Sequence, residues 1–335
     1  MDIVCLGELL FDMFPAELGR TLAEVSAFYP KPGGAPANVA VAAVRLGTQS
    51  AFIGKVGDEA FGRHLVRVLD GEGVETRGMR FDPQARTTLA FIAKPDENTS
   101  EFVFYRHPGA DMLLRPEELD RELLQGARAF HFGSISLIQE PSRSATMEAL
   151  AIARRAGALI SFDVNYRPDL WSGLEQARAC ILECLSDVDL LKVNEIEVAL
   201  LAAEGGLEEG RPFSFSELDT PAKSLLDRGP ELIVVTLGSE GSYYRTIEGG
   251  DYVSPFRVQT VDATGCGDAF VAALLCQLIR AGWSGRAGSV RLSRARLSDI
   301  LRYANAVGAL TSLKAGVIPA LPTAPEVKDF LARYA

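Results

Sequence analysis

Short apolar runs alternate with longer stretches of helical spacing along most of the chain. Ile3 to Leu6 is uninterrupted and apolar, the pattern of a strand buried on both faces. Ala51-Phe52-Ile53-Gly54-Lys55-Val56-Gly57-Asp58 reads as a second strand and its turn, followed by an amphipathic helix, Phe61 to Leu69. From Ala127 the alternation becomes regular: strand Ala129 to Phe132, helix Ser142 to Ala156, strand Leu159 to Asp163, helix Leu174 to Leu185, strand Leu190 to Val193, helix Glu195 to Ala203 and strand Glu231 to Thr236. Such a chain predicts an α/β fold, a doubly wound and mainly parallel sheet flanked by helices, with functional groups beyond the carboxyl ends of the strands.

Two interruptions modify this rhythm. Thr87 to Ala93 and Glu101 to Tyr105, joined by Lys94-Pro95-Asp96-Glu97-Asn98, read as an antiparallel hairpin suited to a lid or an interface. Tyr243-Tyr244-Arg245 and Tyr252-Val253 form a second hairpin around Glu248-Gly249-Gly250-Asp251. Residues 203–224 read as a loose excursion with no assigned function, and Gly282 to Arg296 as a basic surface linker. A helix from Leu297 to Leu313 and a Pro-rich turn from Gly316 to Pro325 precede a terminal helix.

Composition narrows the function classes. The 335 residues include 44 Asp and Glu against 34 Lys and Arg, a formal charge of -10, without a long basic run, which disfavours a nucleic-acid partner. The five cysteines form no CxxC pair and the three histidines have no metal-ligand spacing. The front of the chain is too short and too uncharged for a signal peptide, and no run approaches the roughly 18 apolar residues of a membrane span. The expectation is a cytoplasmic protein that meets no membrane. Neither GxxxxGK[ST] nor a GxGxxG after the first strand is present.

The densest chemistry lies in Val261-Asp262-Ala263-Thr264-Gly265-Cys266-Gly267-Asp268-Ala269-Phe270, a polar, glycine-containing stretch before an apolar run. The amides of Gly265, Cys266 and Gly267 would point outward at a helix start, which is an anion site. Asp268 beside a bound anion suits a base that takes a proton from a hydroxyl attacking phosphorus. An Asp-capped turn before a buried helix is the plain alternative. Asp12, set among apolar neighbours, reads as ligand-facing or as a turn residue. Gly33 and Gly34 bring backbone close to something, and Asn38 offers donor and acceptor from a helix start, either to a polyhydroxylated ligand or to the helix itself. Arg106 leaves the first hairpin as a solvated charge or as an arm into a cleft.

Gly33-Gly34-Ala35-Pro36-Ala37-Asn38 and Asp262-Ala263-Thr264-Gly265-Cys266-Gly267-Asp268 resemble the two signature motifs of the ribokinase-like (PfkB) carbohydrate kinases. Phe102 to Leu114, His131 to Leu137 and Ile318 to Thr323 resemble, within that family, the fructokinases. The resemblance spans essentially the whole chain. It implies an ATP-dependent sugar kinase with an α/β core (1–10, 35–83 and 112–335) and a small β lid over the sugar (11–34 and 84–111). By similarity, Asp268 is the base and Gly265, Cys266 and Gly267 the anion hole. Asp12, Gly33, Gly34 and Asn38 would contact sugar, with Arg106 and Arg167 as further contacts. Asn194 and Glu197 match an NxxE motif that organises Mg2+ through water. Thr236, Gly238 and Gly241 match the nucleotide loop, and Asn305 is placed with them. Asp262 and Thr264 fall where some members bind a monovalent cation, so K+ is a candidate cofactor beside ATP and Mg2+. Cys266 stands where Ala is usual, and a thiolate held there by the helix dipole would make oxidation inactivating.

The resemblance implies transfer of the γ-phosphoryl of ATP to the 6-hydroxyl of fructose. The rivals are a 2-keto-3-deoxygluconate kinase, whose substrate carboxylate Arg106 and Arg167 would hold, a ribokinase, and a sugar- or nucleotide-sensing module without turnover. The partners are the sugar and ATP, and the lid edges offer a homodimer contact.

Overall fold

The computed structural model describes residues 1–96, 101–202, 215–288 and 290–334. Glu97 and Asn98 of the expected turn, and 203–214 of the expected excursion, lie outside the described residues. The chain begins with β1 (Ile3–Leu6), β2 (Leu10–Pro15), β3 (Phe28–Gly33), α1 (Ala35–Arg45), β4 (Ser50–Gly57), α2 (Ala60–Gly71) and β5 (Glu75–Asp82). It continues with β6 (Leu89–Ala93), β7 (Glu101–Tyr105), α3 (Arg121–Gln125), β8 (Ala129–Gly133), α4 (Ser142–Arg155), β9 (Leu159–Asp163) and α5 (Leu174–Cys184). Then follow β10 (Leu190–Asn194), α6 (Glu195–Ala202), α7 (Phe215–Leu226), β11 (Leu232–Thr236), β12 (Ser242–Thr246) and β13 (Gly249–Val253). The helices α8 (Cys266–Arg280), α9 (Arg294–Thr311) and α10 (Ala324–Ala332) complete it.

Among the described residues, nine strands form one sheet in the order β13-β12-β11-β10-β9-β8-β1-β4-β5. From β11 to β5 neighbouring strands are parallel, and β12 and β13 add an antiparallel edge. Period-2 alternation splits the apolar residues between two faces: Ile3 and Cys5 join the cluster under α1, α2, α8 and α9, whereas Val4 and Leu6 join the one under α4 to α7. The chain runs from β1 outward through β4 to β5, then restarts on the other side at β8. That reversal is the switch point at which open α/β sheets bind ligands beyond the strands' carboxyl ends.

A second, four-stranded sheet has the order β3-β2-β6-β7. The β6/β7 hairpin was legible in the sequence, whereas β2 and β3 were not read as strands. They are half exposed; Pro30 and Pro32 lie on the edge strand β3, and Pro15 ends β2 beyond its pairing with β6. Three other expectations change. The excursion ends in α7, which starts at Phe215. The basic linker ends early, because the Ser293 hydroxyl accepts from Arg296 N and starts α9 at Arg294. Gly249 to Asp251 are not a turn but the start of β13.

Helix α8 packs between α1 and α9 and buries ten residues between Ala269 and Ile279. The stretch Cys266–Ala287 is long and apolar enough by composition to cross a membrane, with mean hydropathy 1.2, against the sequence expectation. Its most apolar window is 61% buried inside the protein, so this apolarity serves the core. Small side chains fill both partners: Ala37, Ala40 and Ala43 of α1 and Ala269, Ala272 and Ala273 of α8 are all fully buried.

At the opposite end of the strands, Asp189 is 0% exposed, accepts from Ile160 N at 2.9 Å, and pairs with Arg154 and Arg286, each at 3.1 Å. Replacing it removes the buried acceptor of the Ile160 and Arg286 amides and the one carboxylate shared by both arginines, which keep only carbonyls and, for Arg154, Asp187. Asp189→Ala should lower the unfolding free energy by about 3–5 kcal/mol, measured by urea denaturation; a loss within error would show that the arginines relax to solvent.

Candidate active site

The start of α8 is built on Gly265, whose φ of +80° is left-handed. A Cβ there would also lie 2.4 Å from Val317 Cγ1, so both conformation and space require glycine. The first helical donor on the far side of this turn is Ala269 N, at 2.9 Å from Gly265 O. Among the described residues no acceptor is found for the amides of Gly265, Gly267 and Asp268. These open amides stand at the positive end of a long helix, where an anion would be favoured. Cys266 departs from expectation: its amide donates back to Ala263 O at 3.3 Å. Its thiol is pushed up to about 12 by burial and then by Asp262 and Asp268. The expected thiolate is not held, because desolvation and two carboxylates outweigh the dipole.

Asp268 stands in the first turn of α8, half-buried, with Oδ2 accepting from Asn38 Nδ2 at 2.8 Å. Asn38 is in the first turn of α1, so the packing of α1 on α8 sets this contact. The other amide atom, Asn38 Oδ1, is buried without a partner among the described residues, an acceptor open to a hydroxyl. Burial raises the Asp268 carboxyl to about 6; the Asn38 hydrogen bond, Lys192 and Arg167 pull it down while Asp163 pushes it up.

The small sheet contributes Asp12, on β2. Burial, then the field of Asp268, raises it to about 7, with Arg167 opposing. A Cβ at Gly33 would fall 2.0 Å from Asp12 Oδ2, so glycine on β3 gives that carboxylate its space. Gly34, with φ +112°, has no room for a Cβ either, since it would lie 2.3 Å from Glu8 O. Arg167 is half-buried, and no hydrogen bond or ion pair to its side chain is found among the described residues. Its charge acts on both Asp12 and Asp268. It follows Asn165, at φ 41° the one non-glycine residue with positive φ among those described.

Arg106 is neither solvated nor part of this group. It is 5% exposed and grips Asp111 Oδ2 through Nε at 2.7 Å and a terminal nitrogen at 2.6 Å. Thr88 Oγ1 donates to Asp111 Oδ1, so the cluster braces the place where β6 and β7 join the large sheet. Glu8 lies in the field of this pair; Oε1 accepts from Ala35 N at 2.9 Å, and burial raises the carboxyl to about 7. Neither Glu8 nor Asp111 was singled out by sequence.

Lys192 was also missed. Its Nζ pairs with Asp163 at 3.0 and 3.2 Å and lies 3.4 Å from where a Gly267 Cβ would be, immediately beside the open amides. Burial depresses this ammonium, but Asp163, Glu197 and Asp268 more than offset that and hold it above its usual range. The signal was a lysine inside the apolar strand Leu190–Asn194.

Asn194 and Glu197 form a capping box: Asn194 Oδ1 accepts from Glu197 N at 2.8 Å and Glu197 Oε2 from Asn194 N at 2.8 Å. Glu197 Oε1 accepts from Tyr166 N at 2.7 Å, and burial raises its carboxyl. The motif therefore has a structural duty, and each Glu197 oxygen, with one amide donor, has capacity for a second donor such as a water of a hydrated magnesium ion. Thr236 ends β11 beside Asn194, donating to Val193 O at 3.4 Å, and Gly238 and Gly241 shape the loop after it. Asn305 is occupied: Nδ2 donates to Val253 O and Ser254 O, pinning α9 to the end of β13. Asp262 is buried; Oδ1 accepts from Thr264 N and Oγ1, and Oδ2 from Gly316 N.

Removing the Lys192 charge should raise the midpoint at which Asp268 titrates. In Lys192→Met the carboxyl 13C resonance of Asp268 is expected to move at higher pH than in the wild type; an unchanged midpoint would show that the ammonium does not govern the carboxylate.

The chain matches the pfkB family carbohydrate kinase profile over residues 1–324. It is 45% identical over 329 residues to "Probable fructokinase-2" of Arabidopsis thaliana, covering 98% of this chain and 95% of that protein. Its fold superposes on a fructokinase with bound ATP from Xylella fastidiosa with a TM-score of 0.87 and 32% identity, covering 99% and 98% of the two chains. A fructokinase from Vibrio cholerae O395, in its fructose, ADP and calcium ion bound form, gives a TM-score of 0.83 at 31% identity, covering 98% of each chain. Likeness in sequence and in fold thus agree over nearly the whole length, and the chain belongs to the pfkB family of carbohydrate kinases.

Proposed function

We propose that the protein is an ATP-dependent fructokinase that transfers the γ-phosphoryl group to the 6-hydroxyl of fructose. The observation that carries the reading is the Asp268 carboxylate, fixed by Asn38 beside three open amides at the start of α8. Asp268 accepts the hydroxyl proton as oxygen attacks phosphorus. The amides of Gly265, Gly267 and Asp268 hold the charge of the phosphoryl group in flight, with Lys192 behind them. Asp12, Gly33 and Gly34 from the lid, with Asn38 and Arg167 from the core, bind the sugar. The small sheet acts as a lid that excludes water, so that fructose rather than solvent is phosphorylated. The nucleotide lies along Asn194, Thr236, Gly238 and Gly241. Glu197 would hold the waters of a magnesium ion, which when bound would supply charge neutralisation to the phosphates.

A sugar acid is less well served than a neutral sugar. Of the two arginines expected to hold its carboxylate, Arg106 is taken by Asp111, and Asp12 and Asp268 would repel the anion. We place the enzyme in the cytoplasm, where its five free cysteines stay reduced. We further propose a homodimer through the small sheet, whose outer strand β7 exposes Val103 and Tyr105.

In a coupled ADP assay kcat/KM should be highest for fructose over ribose and 2-keto-3-deoxygluconate; binding of fructose and ATP without ADP release would return the sensing module. Asp268→Asn should leave fructose binding nearly intact and reduce kcat by ~10²–10⁴-fold. In the wild type, kcat should fall as pH drops through about 6, where the base takes up its proton, and level off above it; a flat acid limb would remove Asp268 from the base role. Sedimentation equilibrium should give twice the chain mass, and a monomer would exclude the lid dimer.

A further inference from the structure

Asp262 is 6% exposed and lies six residues before Asp268, in the turn that delivers the open amides. Although burial pushes its carboxyl up, donors from Thr264 and Gly316 and the charge of Lys94 hold it below the usual carboxylate range. It is therefore ionised at neutral pH, and a buried anion needs a countercharge. The cation that reaches it comes from the other body. Lys94 follows β6 in the small sheet, its carbonyl held by Gly19 N at 2.9 Å, and its Nζ lies 3.2 Å from Asp262 Oδ1.

The oxygens around this carboxylate are largely committed. Oδ1 receives Thr264 N, Thr264 Oγ1 and Lys94 Nζ, and Oδ2 receives Gly316 N. The nearby carbonyl of Ser312 accepts from both Val261 N and Asp262 N. A free monovalent ion on Oδ1 would have to sit against an ammonium and displace existing donors. The residues singled out as a cation site thus do not fit a free ion while Lys94 is in place.

We infer that Lys94 is a tethered counter-cation: with the small sheet seated over the large one, its ammonium fills the role of a free monovalent ion at Asp262. K+ and Lys94 are then alternative occupants, and the free ion takes the site only when Lys94 is withdrawn or removed. Lys94 is a positioning residue, acting on phosphoryl transfer through Asp262 and the turn at Gly265. This inference rests on the kinase reading for its activity arm alone.

The test compares KCl with choline chloride at matched ionic strength in wild type, Lys94→Met and Lys94→Arg, reading kcat with fructose and ATP and the melting temperature without substrates. Wild type and Lys94→Arg should be indifferent to the choice of salt in both readouts. Lys94→Met should lose roughly tenfold in kcat in choline chloride, regain it in KCl, and gain a K+-specific rise in melting temperature. Wild type activated and stabilised by K+ as much as Lys94→Met would overturn the inference, as would indifference of Lys94→Met to K+. If the wild type were inactive in every salt, the kinase reading would fall while the melting arm still decided the role of Lys94.

Discussion

One buried ammonium keeps the centre of this molecule in electrostatic balance. Lys192 Nζ is paired with Asp163 at the end of β9, lies in the field of Glu197 on α6 and Asp268 on α8, and sits against Gly267. Three carboxylates from three elements converge here, and without a central cation their mutual repulsion and desolvation would amount to several kcal/mol. The parallel sheet makes the convergence geometric, because β9 and β10 are neighbours and release their acidic residues at the same edge. The capping box that starts α6 then turns Glu197 inward.

The polar groups divide between two sheets, with their helices, joined by four chain crossings. Asp12 and Gly33 belong to the small sheet, while Asn38, Arg167, Lys192 and Asp268 belong to the large one. Two charged contacts tie the two together in different ways. Arg106 with Asp111 and Thr88 is buried near the crossings and braces the joint. Lys94 with Asp262 lies farther out, one-third exposed, and connects the end of β6 with the turn before α8.

Most of the large sheet was legible in the chain because its strands are short, apolar and separated by helices of ordinary length. Leu159–Asp163 and Ile3–Leu6 were read to the residue. Strands β2 and β3 were not, because a sheet solvated on one face and rich in proline carries a weak periodic signal. Within the site, Gly34 and Gly265 were legible because backbone geometry demands glycine locally, and Asp268 and Asn38 because a carboxylate and an amide stand out at the starts of apolar helices. Arg106 and Lys192 were not. An arginine at a strand exit reads the same whether solvated or paired, and its acceptor Asp111 becomes visible only when the chain folds back. Lys192 needed Asp163, twenty-nine residues away, to explain a cation inside an apolar strand. Cys266 was misjudged because the dipole is a local feature, while the carboxylates that oppose it come from the folded neighbourhood.

The alanines of α1 and α8 give an apolar seam a chemical meaning. Distance between packed helices follows the bulk of the side chains between them, and Asn38 and Asp268 are carried in the first turns of these two neighbours, 2.8 Å apart. Ala37, Ala40, Ala269 and Ala272 thereby act as a gauge block. Evolutionary drift toward valine along this seam would widen the gap long before the fold gave way, and the damage would surface as a displaced Asp268 carboxylate in a protein that still looked sound.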